Sequence, residues 1–176
     1  MYPQAFIDYL IHFHCDRDYF ECHEILEDHW KEDPVPERKT YWVGLIQIAV
    51  SLYHYRRKNT AGALKMMKSA LKICNEHKSE LEQLGFQVDK LIELLQKKFH
   101  DIENGSPYES INLPLTDNNL LSTCISQATE SGKSWGEASD LSNQELIHKH
   151  TLRDRSDVIA ERQKQFLLKQ SIRSKN

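Results

Sequence analysis

Residues 19–30 read YFECHEILEDHW and set His23, Glu24 and Glu27 among aromatic and apolar neighbours. Imidazole and carboxylate groups exchange protons near neutral pH and bind divalent metals. On a helix, successive residues turn by about 100°, so His23 and Glu27 stand one above the other and Trp30 extends their line. Phe20 and Glu24 form the adjacent line, while Glu21, Asp28 and His29 point away. The spacing therefore predicts that His23, Glu24 and Glu27 share a face with Phe20, Leu26 and Trp30, the side chains expected to be buried. Burying an unpaired carboxylate costs several kcal/mol, so two of them call for partners, protons or a metal.

A second run offers partners. YWVGLIQIAVSLYHYRR, residues 41–57, carries Gln47 and His54 on one side with Val43 and Val50. The short connection through 33–40 makes the two helices antiparallel neighbours. With Trp30 near the level of Val43 or Gly44, facing residue numbers add up to about 74. Glu27 then faces Gln47, and His54 faces Phe20, within a turn of His23 and Glu24. Gly44 is expected to let these two helices approach closely. Gln47 and His54 are separated by about 10.5 Å along the axis, whereas metal–ligand bonds are about 2 Å, so the two do not share an ion.

The expectation is a two-layer ladder, Glu27 with Gln47 and His23 or Glu24 with His54. Only the second layer holds a metal set: His23, His54 and one of Glu24 or Glu27, a composition suited to zinc, manganese or iron. Three readings stay open. The cluster is a hydrogen-bond network fixing helix register, or a divalent metal site with His23, Glu27 and His54 as ligands, or an organic-ligand site with Trp30 and Gln47 as cofactor-binding residues. In an enzyme, hydrolysis through an activated water would use Glu24 or Glu27 as the catalytic base. The motif departs from the zincin H-E-x-x-H, because Glu27 stands where the second His belongs. The paired Glu-x-x-His segments of di-iron bundles are not supplied either.

Weaker clusters come next. His12 with His14, and His148 with His150, are two apart and do not share a helix face. Arg56, Arg57 and Lys58 form a basic patch at a helix end, where cations suit the dipole.

The elements that position these residues are helical. Pro3–His14 shows helical spacing at Phe6, Ile7, Leu10 and Ile11. Asp18 and Glu21 form a capping pair for the motif helix, which ends near Lys31 before Pro34 and Pro36. A third helix covers Tyr41–Arg57, a fourth is capped by Asn59 or Thr60, and a fifth covers Val88–Glu103 after a turn at 84–86. Residues 1–103 are thus read as an all-α bundle of about five helices. Residues 104–141 are read as an irregular segment with a short helix near 119–127 and a mobile polar linker over 131–142. Residues 142–176 read as a charged helix begun by a Ser142/Glu145 capping box, either solvated or a site for a protein partner.

Bulk properties narrow the function classes. The chain has 176 residues, 39% hydrophobic and 28% charged, with net charge −3, six Gly and five Pro. Such a balance gives no general attraction to nucleic acid or an acidic membrane. Cys15, Cys22, Cys74 and Cys124 form no C-x-x-C, so no disulfide framework is expected. The opening MYPQAFIDYL lacks a basic region and does not read as a signal peptide. The longest apolar run is too short to span a bilayer. A soluble cytoplasmic protein is expected.

YFECHEILEDHW, followed by GLIQIAVSLYHYRRKNTAGALKM, resembles the bacterial and archaeal family designated domain of unknown function 309. The shared pattern falls on His23, Glu24, Glu27, Trp30, Gln47, His54, Asn59 and Gly62, within about the first hundred residues. The tail resembles that of a YpuF-like branch in Bacillus-type bacteria. The resemblance implies a compact helical bundle, and members carry the label of predicted metal-dependent hydrolases, which rests on the same His/Glu pattern.

Overall fold

The computed structural model describes residues 1–152, 160, 163–164 and 166–167. These residues build an all-α fold: α1 (Gln4–His14), α2 (Tyr19–Glu32), α3 (Thr40–Arg56), α4 (Thr60–Glu76), α5 (Lys78–Gln83), α6 (Val88–Glu103), α7 (Asn118–Glu130), and the single turns α8 (Gln144–Ile147) and α9 (Lys149–Leu152). A 3-10 turn at Val35–Glu37 joins α2 to α3. No strand occurs among the described residues; one antiparallel bridge pairs Phe86 with Leu115. The short α5 has too few apolar positions to announce itself by periodicity, so residues 1–103 hold six helices rather than five.

α3 is the central element, packed between α2 and α4, while α1 lies against α2 and α7, and α4 against α6. Trp42, Leu45, Ile48, Ala49, Leu52 and Tyr55 are all buried on it. A helix that is apolar around much of its circumference is stable only when neighbours cover most sides. α2 needs only one stripe covered, through Tyr19, Cys22 and Leu26. Its start is set by the Asp18 carboxylate, which accepts from the Glu21 amide at 3.0 Å, as the capping pair foretells. Asn59 does the same for α4, accepting from Gly62 at 3.1 Å.

The antiparallel register of α2 and α3 is the one expected. The Phe20 ring faces Tyr53 at 6.2 Å. His29, read as pointing away, instead packs edge-on against the buried Trp42 at 5.2 Å. Gly44, however, serves a different neighbour. A Cβ there would lie 2.8 Å from Ile73 Cγ2 and 3.9 Å from Cys74 Sγ, so the close approach is between α3 and α4 rather than α3 and α2.

Residues 104–117 run across the bundle, held by two bonds to the α5–α6 turn, Gln87 N–H to Pro114 O at 2.9 Å and Thr116 N–H to Gly85 O at 2.8 Å. The segment after α7 is not a free linker. Trp135 stacks on His14 at 4.3 Å, and the Gly136 amide donates to His14 O at 2.8 Å. Arg17, 1% exposed, donates to the carbonyls of Phe13, Ile111 and Glu137 and to Asn112 Oδ1. Its guanidinium thereby fastens two irregular segments to the end of α1.

The cap near residue 142 shifts by one. Asn143, not Ser142, accepts from the Leu146 amide, while the Ser142 hydroxyl and amide turn back to Asp140. The helix breaks at His148, leaving α8 and α9 as separate turns. Most of the charged run read as a partner-binding helix, including 153–159 and 168–176, lies outside the described residues.

Candidate functional site

His23, Glu24 and Glu27 come together on α2. His23 Nδ1 lies 3.0 Å from Glu24 Oε1, and His23 Nε2 lies 3.2 Å from Glu27 Oε2. One ligand atom from each of the three fits within 4.8 Å of the others. The cluster is partly open: the three side chains are 29%, 29% and 33% exposed. The buried line of α2 runs through Tyr19, Cys22 and Leu26, with the His/Glu line beside it. Cys22 stays out of the cluster, its thiol raised well above the ordinary range chiefly by burial.

The two contacts of His23 set a chemical condition. A neutral imidazole has one N–H, so it donates to only one of two carboxylates. The arrangement is satisfied when both ring nitrogens carry protons or when a cation stands between the ring and a carboxylate.

The expected ladder does not form. Glu27 does not pair with Gln47: its Oε2 is engaged by His23 and its Oε1 by Lys31 at 2.8 Å. Gln47 Oε1 and Trp30 Nε1 are both buried without a hydrogen-bond partner among the described residues. Trp30 instead packs its ring beneath the Arg38 guanidinium at 4.7 Å. Neither residue belongs to the His/Glu cluster itself.

His54 reaches the same neighbourhood in another role. A cavity of about 180 Å³ is lined by Tyr19, Phe20, His23, Val50, Tyr53, His54 and His150. His54 therefore shares a wall with His23, yet it does not join the metal-ligand group. Its Nδ1 lies 3.1 Å from Asn59 Nδ2. The Asn59 amide is oriented by the Gly62 N–H, which donates to its Oδ1, so its NH₂ faces His54. Nδ1 then accepts, and in the neutral ring the proton sits on Nε2. Burial, with Arg57 nearby, lowers the His54 pKa and favours that neutral form. In that tautomer Nε2 of His54 carries an N–H rather than a free lone pair.

Gly62 is needed for this. A Cβ at that position would lie 2.7 Å from Asn59 Nδ2 and 3.1 Å from His54 Cδ2.

Two further groups, Tyr53 with His150 and Lys149 with Asp18 and Glu21, are absent from the sequence reading. The Tyr53 hydroxyl accepts from the His150 amide at 3.1 Å and lies 2.6 Å from His150 Nδ1. Lys149 reaches Asp18 at 2.5 Å and Glu21 at 3.0 Å. Tyr53 could have been found from the helix register, since it faces Phe20. His150 had no such signal, because its contact spans nearly a hundred residues of chain.

Fold and cluster define a class: an all-α bundle carrying an H-E-x-x-E cluster on one helix, beside a His/Tyr-lined cavity closed by a later turn. The chain belongs to the family described as Domain of unknown function (DUF309), which its residues 6–66 match. Over 166 residues it is 52% identical to a Bacillus subtilis (strain 168) protein called "Uncharacterized protein YpuF", covering 94% of this chain and 95% of that relative. No solved structure matches the chain. The family match takes in His23, Glu24, Glu27, His54, Asn59 and Gly62, but not His150. Among the described residues, no helix is long and apolar enough to cross a membrane.

Proposed function

We propose that His23, Glu24 and Glu27 form a divalent-metal site of a small metal-dependent hydrolase. The observation that carries this reading is the double contact of one imidazole with two carboxylates, which a cation satisfies without an extra proton. One nitrogen and two carboxylates suit zinc, manganese or iron. The alternative of a network that holds α2 to α3 has less support, because the ion pairs of His23 and Glu27 stay within α2. Partly exposed pairs of this kind add about 1 kcal/mol or less to stability.

When bound, such an ion supplies Lewis acidity and an acidified water. The chain's own residues supply the rest. Glu24 or Glu27 is assigned the role of proton acceptor. The small cavity, mainly apolar and lined in part by His23 and His54, suits a compact substrate group.

The test is calorimetric titration of untagged, metal-stripped protein with Zn²⁺ and Mn²⁺, alongside a screen of ester and phosphoester hydrolysis with and without metal. Binding at one site, lost in His23→Ala and Glu27→Gln but kept in His54→Ala, supports the metal assignment. Metal-dependent turnover lost in Glu24→Gln supports the hydrolase. Titrations without heat or thermal stabilisation would remove both.

A further inference from the structure

A second cavity, on the other side of Tyr53 and Arg57, has a different character. It encloses about 820 Å³ between the end of α3, the start of α4, residues 105–108 and residues 141–148. Volumes of this order hold small organic ligands. Its wall carries Arg56, Arg57, Lys58 and His148, with Thr60, Ser106, Tyr108 and Gln144 as polar neutral groups, and no carboxylate side chain.

Arg56 sets the argument. It is only 6% exposed. One guanidinium nitrogen, Nη1, donates to Arg17 O at 2.8 Å and to Ser139 Oγ at 3.1 Å. Nε and Nη2 are buried with no partner among the described residues. The Tyr19 ring, 4.8 Å from Cζ, offsets part of the charge, but no ion pair involves Arg56, Arg57 or Lys58 among the described residues. Taking a guanidinium out of water is costly unless its donors and charge are satisfied.

Helix-end electrostatics do not account for this patch. The C-terminal dipole of a helix is equivalent to roughly half a negative charge, against three cations here. The last carbonyls of α3 are also already taken: Lys58 N–H donates to Tyr55 O and Asn59 N–H to His54 O, both at 2.9 Å, in a Schellman-type turn with Lys58 at φ 63°. That turn brings Thr60, the first residue of α4, to the cavity wall, so the positive end of a 17-residue helix adds to the cations. Arg57 is held in place by stacking on Tyr53 at 5.3 Å and by donating from Nε to His148 Nδ1 at 3.3 Å.

We infer that this cavity is an anion site that takes the phosphate group of a small phosphorylated molecule. A tetrahedral dianion accepts from several donors at once, which suits the Arg57 guanidinium, the Lys58 ammonium and a helix start, with the unpaired charge of Arg56 behind them. The inference is independent of the metal reading, since the cavity shares no wall residue with the His/Glu cluster.

The probe is inorganic phosphate, titrated into the full chain with no metal added, against potassium chloride at matched ionic strength. Phosphate is expected to raise the melting temperature and bind at a single site, and Arg57→Gln with Lys58→Gln to weaken binding at least tenfold while leaving the phosphate-free melting temperature within a few degrees. Glu24→Gln should bind phosphate like the parent. A melting temperature that phosphate raises no more than chloride does would overturn the proposal, as would unchanged binding in the double variant. Arg56→Gln is the harsher variant, and the exposed Lys58 and the partly exposed Arg57 keep the test readable if it fails to fold.

Discussion

The tautomer of His54 is decided by a glycine eight residues away. Gly62 donates its amide to Asn59, Asn59 turns its NH₂ to His54, and His54 keeps its proton on Nε2. Gly62→Ala should break this relay, because the new methyl would sit 2.7 Å from Asn59 Nδ2. The expected outcome is loss of the His54 Nδ1 hydrogen bond, seen as a change of the imidazole nitrogen shifts in NMR, with divalent-metal affinity unchanged. Unaltered shifts would count against the relay. The sequence marks His54, Asn59 and Gly62 as positions of interest, but not this arrangement. A helical wheel tells which residues share a face and says nothing of which atom donates. It also places His54 near His23, and the two do line one cavity.

At the scale of elements, the pairing of α2 with α3 was legible, because a short connection and an antiparallel register leave few choices. The Phe20–Tyr53 contact follows from it, whereas the helical wheel turned His29 away from Trp42, which it meets. Gly44 was misassigned because α3 is covered on several sides and its sequence does not say which neighbour comes closest. Its close partner is Ile73 on α4, a stiff β-branched side chain with its Cβ 3.4 Å from the added methyl position. Gly44→Ala should therefore destabilise the bundle by about 1–3 kcal/mol through overpacking, measured by urea unfolding, with the α2 cluster intact. A neutral or stabilising result would show that α3 and α4 shift apart easily. The polar composition of 131–142 likewise misled, since one Trp stacked on a buried His outweighs a run of Ser and Gly.

Across the whole molecule, the irregular segments are fastened by buried polar groups whose chain partners no local pattern reveals. Arg17 is one and His14 another. His14 donates from Nδ1 to Leu10 O at 2.8 Å and accepts at Nε2 from the Leu113 amide at 2.9 Å, which requires the neutral ring. Burial, helped by the charge of Arg17, lowers its pKa from 6.5 to about 4. The unfolded chain therefore takes up this proton at higher pH than the folded one. The stability due to His14 is fully present above about pH 6.5 and is lost as pH falls through about 4, an amplitude of about 3 kcal/mol. Asp16 adds a second, more acidic step. Its carboxyl is disfavoured as a charge by burial, but hydrogen bonds from His12 and Lys133 overcome this and lower it to about 2. Unfolding free energies measured from pH 7 to pH 2 should fall on this schedule, first with His14 between about 6.5 and 4; a flat profile over that first range would contradict the buried neutral His14.

The central claim is that one histidine and two carboxylates of α2 form the metal site. X-ray absorption at the zinc or manganese edge of the loaded, untagged protein tests it most directly. The expected coordination is one imidazole nitrogen with carboxylate and water oxygens, unchanged in His54→Ala. A shell with two or more imidazoles, altered when His54 is removed, would contradict it.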